Sequence, residues 1–213
     1  MIIDNSYFLQ KPLFIPQSLS TIPTGGTGYD KASTEVNAFV DDKESEFLLS
    51  FLGYDQYTEL LSQFVNGALK PDALQKWVDL VDGKDQWRGL RYNIGTYKKS
   101  IIAYYVYFYW LMQDNVTNTV MGVQKPEAAN SQYMIPNDSQ AKIWNEFIKM
   151  YGYNCTSSLN PTFFNNWNGT GIRWTGSNMD SNMFSLYDFM SKNSADYDLS
   201  KFSNYKPVNP YNL

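Results

Sequence analysis

The feature that most constrains this chain is an uncharged run from Ser100 to Gln113, with Lys99 before it and Asp114 after it. Six of the twelve residues from Ile101 to Met112 are aromatic. A helix that spans a membrane needs about 20 consecutive apolar residues, so this run is too short to cross a bilayer. Its tyrosine hydroxyls also need hydrogen-bond partners. The run therefore predicts a helix buried inside a folded domain.

The spacing of apolar residues in this stretch favours a helix over a strand. Two rows recur with helical periodicity: Tyr97, Ile101, Tyr104, Phe108 and Leu111 or Met112 form one, and Ile102, Tyr105 and Tyr109 form the other. These residue types also favour strands, but the run exceeds the usual strand length. We expect a central helix from about Asn93 to Gln113 around which the other helices pack. The alternative is that part of its surface is buried only when copies of the chain associate.

The same periodicity predicts shorter helices on both sides of the central one. Before it, we expect a helix ending at Gly53, a second ending near Asn66-Gly67, and a third from Pro71 to Gly83. After it, Asn137, Asp138 or Ser139 can cap a further helix that ends at Gly152, and a short helix carries Met183, Leu186, Tyr187 and Met190. The residues Val116 to Val120 fit a frayed helical turn or a short strand, and Gly122 ends that piece.

The predicted fold class is mainly α. It is a small helical bundle around one central aromatic helix, with extended N- and C-terminal arms, and Asn166 to Gly171 can turn a small β-hairpin. We divide the chain into an extended N-terminal arm (1–33), a helical domain (34–153), an irregular region with the hairpin and a short helix (154–193), and an extended C-terminal arm (194–213).

The N-terminal arm is too apolar for a simple disordered tail. Pro12, Pro16 and Pro23 break regular structure, and Gly25 to Gly28 forms a flexible joint. Two interpretations stay open. The arm is either an extended segment that docks on its own domain or on a neighbour, or a strand folded onto its own core. Met1 to Asn5 lacks the pattern of a signal peptide.

The chain lacks the residues of most catalytic and metal sites. It has no histidine and a single cysteine, Cys155. This excludes His-based triads, His metal ligands, tetrahedral zinc sites and an intrachain disulfide. Gly25 to Gly28 lacks the Lys-Ser/Thr pair of a phosphate-binding loop. We therefore expect no metal, no cofactor and no enzymatic activity.

Charged clusters leave two further hypotheses. Paired carboxylates can hydrolyse glycosides when they lie about 5–9 Å apart in a cleft. The acidic cluster is Asp41, Asp42, Glu44 and Glu46, and the basic set before the central helix is Arg88, Arg91, Lys98 and Lys99. Solvated helix faces explain both. The sharper hypothesis is that the basic set of one copy meets the acidic cluster of a neighbouring copy.

The overall composition suits a protein that self-associates. Aromatic residues make up 17% of the chain and charged residues only 18%, and large rings with few charges are typical of interfaces. The net charge of −4 gives no broad electrostatic footprint for nucleic acid. Trp167 and Trp174 in an Asn/Gly-rich stretch fit sugar stacking, and they fit a protein interface equally well.

Several short motifs, taken in order, carry a family resemblance. They are Glu46-Phe47-Leu48, Phe51-Leu52-Gly53-Tyr54-Asp55-Gln56-Tyr57, Trp87-Arg88-Gly89-Leu90, Ala103-Tyr104-Tyr105-Val106-Tyr107, Gly122-Val123 with Asn130-Ser131, and Trp144-Asn145-Glu146-Phe147. In this order and spacing, the chain resembles the head–tail connector (adaptor) proteins of tailed bacteriophages, in the version found in phages of Bacteroides-type hosts, including crAss-like phages. The likeness covers about Glu35 to Tyr153.

The resemblance implies a structural virion protein with no catalytic site. Such subunits form a homo-oligomeric ring, typically of twelve copies, between the portal protein and the next tail or neck protein. DNA passes through the channel without sequence-specific binding, and the ring is assembled in the host cytoplasm without a membrane. The residues we expect at interfaces are Tyr7, Phe8, Phe14, Asp41, Asp42, Arg88, Arg91, Tyr197, Phe202, Tyr205 and Tyr211. The alternatives are a carbohydrate- or receptor-binding phage protein and a carboxylate-dependent hydrolase.

Overall fold

The computed structural model describes residues 2–15, 29–94, 97–114, 117–119, 122–124, 137–152 and 185–200. The helices in these ranges are α1 (Tyr29–Ser62), α2 (Gln75–Asp82), α3 (Ile101–Asp114), α4 (Asn137–Tyr151) and α5 (Leu186–Lys192), with a 3-10 turn at Asn5–Phe8. Antiparallel two-stranded hairpins pair β1 (Phe64–Val65) with β2 (Ala68–Leu69), β3 (Asn93–Ile94) with β4 (Tyr97–Lys98), and β5 (Thr117–Thr119) with β6 (Gly122–Gln124). The predicted mainly α fold is confirmed.

Helix α1 consists of two helical pieces that meet at Gly53. This residue has φ 75° and ψ 171°, a backbone conformation that is essentially restricted to glycine. The prediction that a helix ends here is confirmed. The first piece begins at Tyr29, inside the stretch 1–33 that the sequence assigned to the arm, so the helical part of the chain starts earlier than expected.

The central helix, α3, is shorter at its start than predicted. Asn93–Ile94 and Tyr97–Lys98 pair as the β3–β4 hairpin, whose base is closed by a 2.8 Å hydrogen bond from Lys99 N to Tyr92 O. The helix begins after Ser100, whose Oγ accepts hydrogen bonds from Ile102 N at 3.1 Å and Ala103 N at 3.3 Å. A serine that satisfies the first free N–H groups is a standard N-cap. The expected start at Asn93 was therefore wrong.

Aromatic contacts place α3 between α1 and α4. Phe47 of α1 lies 5.1 Å from the Tyr105 ring of α3 and 5.7 Å from the Phe147 ring of α4, measured between ring centroids. Phe108 of α3 lies 4.7 Å from Trp144 of α4. All of these side chains are buried, and each aromatic pair adds about 0.5–1.5 kcal/mol beyond the burial of its area. A bundle around one central aromatic helix is thus what forms.

The second half of α1 ends sooner than predicted because a hairpin follows it. Asn66 and Gly67 both have positive φ, at 51° and 78°, as the two central residues of a type I′ hairpin turn require. Phe64 pairs with Leu69 across this turn. The third predicted helix also starts late, at Gln75 rather than Pro71, because residues 70–73 form a turn in which Ala73 N donates to Lys70 O at 3.1 Å.

Two glycines allow the end of α2 to cross the turn that follows it. Gly83 has φ 97° and Gly89 has φ 87°. A Cβ at Gly83 would lie 2.7 Å from the backbone of Arg88, and one at Gly89 would lie 2.5 Å from Val81 O. The crossing fixes Trp87, which is buried and donates from Nε1 to Leu80 O at 2.9 Å. The predicted end of this helix at Gly83 is confirmed.

The last two helices have the predicted positions. Helix α4 spans Asn137–Tyr151 and is followed by Gly152 at φ 74°. Helix α5 starts with a capping box, in which Ser185 and Asp188 bond each other's backbone N–H. The β5–β6 hairpin shows that Thr117–Thr119, within the β-branched piece after α3, is a strand and that Gly122 begins β6 rather than ending the piece. Met183 and the hairpin predicted at Asn166 to Gly171 lie outside the described residues.

Candidate functional site

The N-terminal segment docks on the chain's own domain. Its apolar side chains are buried: Ile2, Ile3, Tyr7, Phe8, Leu13 and Ile15. The loop closes on itself where Ile15 N donates to Phe8 O at 2.9 Å. Of the residues predicted for an interface, Tyr7 and Phe8 are therefore core residues of the chain that carries them, and Phe14 is half-buried. Docking on its own domain is the interpretation that holds for residues 2–15.

Glu44 holds this segment in place. Its side chain belongs to α1 and is only 2% exposed. The carboxylate accepts hydrogen bonds from Ile2 N at 2.6 Å and Ile3 N at 3.0 Å. Burial raises the pKa of Glu44, and the two backbone N–H groups act in the opposite direction. A residue that the sequence placed in a solvated cluster is therefore a buried anchor.

Side chains from α3 and from the turn after α2 complete the attachment. Tyr107 OH donates to Phe14 O at 3.2 Å, and Tyr7 OH donates to Arg91 O at 3.3 Å. Burial, with a contribution from Asp4, raises the pKa of Tyr7 to about 12. Lys98 donates to the Ser6 hydroxyl and lies 5.1 Å above the Tyr7 ring. The segment is thus an integral part of the folded domain.

An open polar cleft of about 590 Å³ lies between this segment and the neighbouring turns. It is lined by Ile2, Asp4, Tyr7, Gly67, Asp82, Arg91, Tyr92 and Lys98. Its charges are of both signs, and Arg91 Nε is paired with Asp82 Oδ1 at 2.5 Å. Because cations and carboxylates balance along its walls, the cleft offers no net field that would select a charged ligand.

The four carboxylates of the acidic cluster do not share one cleft. Glu44 is buried under the N-terminal segment. Glu46 accepts from Tyr105 OH at 3.0 Å and pairs with Lys43 at 2.5 Å. Asp41 and Asp42 are exposed. Glu46 is exposed as well but is engaged by Tyr105 and Lys43, and Lys43 Nζ also lies 3.5 Å from Asp42 Oδ2.

The predicted basic set also divides into two parts. Arg91 and Lys98 hold the N-terminal segment and its neighbourhood, as described above. Arg88 stacks on Tyr92 at 4.5 Å from the ring centroid and donates to its hydroxyl. Lys99 Nζ lies 3.8 Å from Glu146 Oε2, and Lys149 Nζ lies 2.7 Å from Glu146 Oε1.

A new grouping results, which we call the basic cluster: Lys99 and Lys149, which both contact Glu146, together with Arg88, whose charge acts on Lys99. Burial lowers the pKa of Lys99, Glu146 opposes this shift, and the nearby cations Lys149 and Arg88 add to it. Lys149 could not be predicted as part of this cluster from local patterns, because Lys99, which contacts the same carboxylate, is distant in the chain. The only local signal was the Glu146–Lys149 pair at i,i+3 spacing on α4.

The C-terminal segment packs on the domain as far as Ser200. Tyr197 is buried between Trp77, at 5.7 Å, and Phe189, at 6.0 Å, and its hydroxyl donates to Lys76 O at 2.5 Å. Burial raises the pKa of Tyr197. One residue later, Gln56 Nε2 donates to Asp198 O at 2.8 Å and Gln56 Oε1 accepts from Asp198 N at 3.0 Å. Tyr197 is thus a core residue, while the other predicted interface residues of this arm, Phe202, Tyr205 and Tyr211, lie outside the described residues.

The described ranges contain neither a cluster of metal ligands nor a helix that could cross a membrane. Within the ranges that the structure describes, no three or more Asp, Glu or Cys side chains are grouped as a metal site would need. None of the helices in those ranges combines the length and apolarity that crossing a bilayer requires. Comparisons with protein-family models, curated proteins and solved structures found no match.

Proposed function

We propose that this chain is a head–tail connector (adaptor) subunit of a tailed bacteriophage. In this proposal, copies of the chain form a ring in the virion neck, of about twelve subunits by the family resemblance, after assembly in the host cytoplasm. The portal protein lies on one side of the ring and the next tail or neck protein on the other. DNA passes through the central channel without sequence-specific binding.

One observation carries this proposal. The residues that define the resemblance are far apart in the sequence, yet their apolar members meet in one core: Phe47, Leu48, Phe51, Leu52, Trp87, Leu90, Tyr104, Tyr105, Trp144 and Phe147 are all buried. Motifs that pack against one another are constrained together by the fold. The order and spacing of these motifs, in which the chain resembles connector proteins, therefore support a fold like that of the connectors more strongly than any single motif does.

The surface of α3 also supports a role in assembly. Its first half, from Ile101 to Val106, is fully buried. In the second half the large side chains Tyr107, Tyr109, Trp110, Leu111 and Met112 are only partly buried. Partly exposed aromatic residues and Met are enriched at protein interfaces. This end of the bundle is suited to contact with another protein surface.

The two alternative functions are a carboxylate-dependent hydrolase and a carbohydrate-binding protein, and the described residues bear only on the first. A carboxylate-dependent hydrolase would use the Asp41–Glu46 cluster, but Glu44 serves as the anchor of the N-terminal segment and Glu46 bonds Tyr105. A carbohydrate-binding protein would use Trp167 and Trp174, which lie outside the described residues, so that alternative stays a prediction.

Native mass spectrometry combined with negative-stain electron microscopy tests the proposed function. We expect a closed ring with a central channel, either from the purified chain or when the chain is mixed with the portal protein encoded by the same phage. Gel-shift titration with two unrelated duplex DNA sequences should show no preference between them. A chain that stays monomeric and does not bind the portal protein would contradict the proposal, as would a stable monomer that binds oligosaccharides.

A further inference from the structure

The basic cluster is assembled from three separate parts of the fold. Arg88 belongs to the turn after α2, Lys99 precedes α3, and Lys149 lies near the end of α4. Lys149 Nζ and Lys99 Nζ lie 2.7 Å and 3.8 Å from the Glu146 carboxylate, and the charge of Arg88 acts on Lys99. Arg88 is held beside Lys99 because it stacks on Tyr92, whose carbonyl oxygen accepts from Lys99 N at 2.8 Å.

Burial makes the repulsion within this cluster stronger than at an ordinary surface. The Lys99 side chain is only 14% exposed, and charges away from water are screened less. The Lys149 side chain is 44% exposed, so the cluster opens to solvent on the α4 side. An anionic group that approaches from that side would offset the repulsion among the three cations.

A matching acidic surface lies elsewhere on the same chain. Asp41 and Asp42 are neighbours on α1, and the Asp42 side chain is 71% exposed although its carboxylate lies 3.5 Å from Lys43 Nζ. On the same helix, Val40, Glu44 and Phe47 are buried. Helices α3 and α4 contact this buried face, as the ring contacts of Phe47 show. The acidic pair therefore faces away from the bundle and is separated from the basic cluster by the core.

We propose that Asp41 and Asp42 of one copy bind the basic cluster of the next copy. This inference rests on the proposed function, because it requires copies of the chain to assemble. The contact joins two different surfaces of the subunit, so it is head-to-tail. Each subunit then binds one neighbour through its acidic pair and the other neighbour through its basic cluster. Contacts of this type form a closed ring when the rotation between subunits closes. Where the rotation does not close, the same contact gives an open filament, so the closed ring follows from the proposed connector function and not from this contact alone.

Charge reversal with rescue tests the pairing. Asp42→Lys and Lys149→Glu should each weaken self-association about ten-fold or more, because like charges across an interface are strongly unfavourable. The double variant, which restores opposite charges in reverse, should recover ring formation. Asp55→Lys and Lys11→Glu change exposed residues elsewhere and serve as matched controls. Light scattering after size-exclusion chromatography measures assembly, and circular dichroism with thermal melting verifies the fold of each variant.

The outcomes separate this inference from the proposed function. Rings that persist in both single variants, or a double variant that fails to recover them, overturn the pairing while leaving a connector subunit in place. A wild-type chain that forms no ring, alone or on the portal protein, overturns both. Where Lys149→Glu lowers the melting temperature, Lys149→Gln removes the charge without adding repulsion toward Glu146. Weakened assembly of that variant supports the pairing, and unchanged assembly overturns it.

Discussion

Replacing Glu44 with alanine should release the N-terminal segment from the domain. The substitution leaves two buried donors, Ile2 N and Ile3 N, without the carboxylate that now accepts them at 2.6 Å and 3.0 Å. An unsatisfied buried donor costs about 1–3 kcal/mol, so the pair represents about 2–6 kcal/mol. Removing a buried carboxylate also removes its desolvation penalty. We therefore expect a net loss of about 2–4 kcal/mol in the free energy of unfolding.

Two measurements check this loss. Urea denaturation gives the free energy of unfolding, and amide hydrogen exchange reports on Ile15 N, which bonds Phe8 O where both side chains are buried against the domain. The exchange of Ile15 should accelerate in Glu44→Ala more than that of α3 amides. Asp42→Ala, on the exposed face of the same helix, is the control and should change stability by less than about 0.5 kcal/mol. A Glu44→Ala variant as stable as that control, with Ile15 still protected, would refute the reasoning.

The pH dependence of Glu44→Gln gives an independent reading of the same site. Burial raises the pKa of Glu44 in the folded state above its unfolded value. The stability that this group contributes is therefore fully present below the unfolded pKa and is lost as the pH rises through the folded pKa. Relative to Glu44→Gln, the wild type should gain stability as the pH is lowered through the acidic range. A difference between the two proteins that is constant with pH would contradict this assignment.

Three further predictions concern the core and the backbone. Phe108→Ala should destabilise the domain by about 3–5 kcal/mol in urea denaturation, because it empties a fully buried site between α3 and α4; a loss below 1 kcal/mol would mean that this ring is not central to the core. Gly53→Ala should cost about 1–3 kcal/mol, since its φ and ψ suit only glycine; Ser50→Ala, on the same helix, is the control. Burial raises the pKa of Tyr7 to about 12, so this residue stabilises the fold below its unfolded pKa and loses that contribution as the pH rises through 12. Tyr7→Phe should therefore flatten the dependence of stability on pH in that alkaline range. An unchanged dependence would contradict the assignment.

Local patterns predicted the helices well because burial repeats with the helical period. The run from Ile101 onward is apolar on nearly every side, and it is the buried centre of the bundle. Two boundaries were missed although local signals existed. Ser100 offered an N-cap, and Asn66-Gly67 is a strong hairpin signal. The burial of Glu44 also had a local signal in the sequence, because this residue lies four positions after Val40 and three before Phe47, on the face that α1 buries.

The surfaces were harder to predict because they depend on partners distant in sequence. Glu44 is anchored by residues about 40 positions away, and Lys99 meets Lys149 and Glu146 only once α3 and α4 pack together. No periodicity within one helix carries this information. For Arg91 the sequence predicted an interface role, and the pairing of its side chain with Asp82 in the folded chain could not be foreseen from local patterns.

The crossing of Gly83 and Gly89 has a consequence for how this surface can change over time. Arg88 lies between the two glycines, and the backbone atoms there leave no room for even a methyl group. The position of its backbone is therefore set by close contact of main chains, and stacking on Tyr92 then places its guanidinium. A bulkier residue at either glycine would shift the whole turn and move Arg88 away from Lys99, so the two glycines constrain this surface although neither one contributes a charge to it.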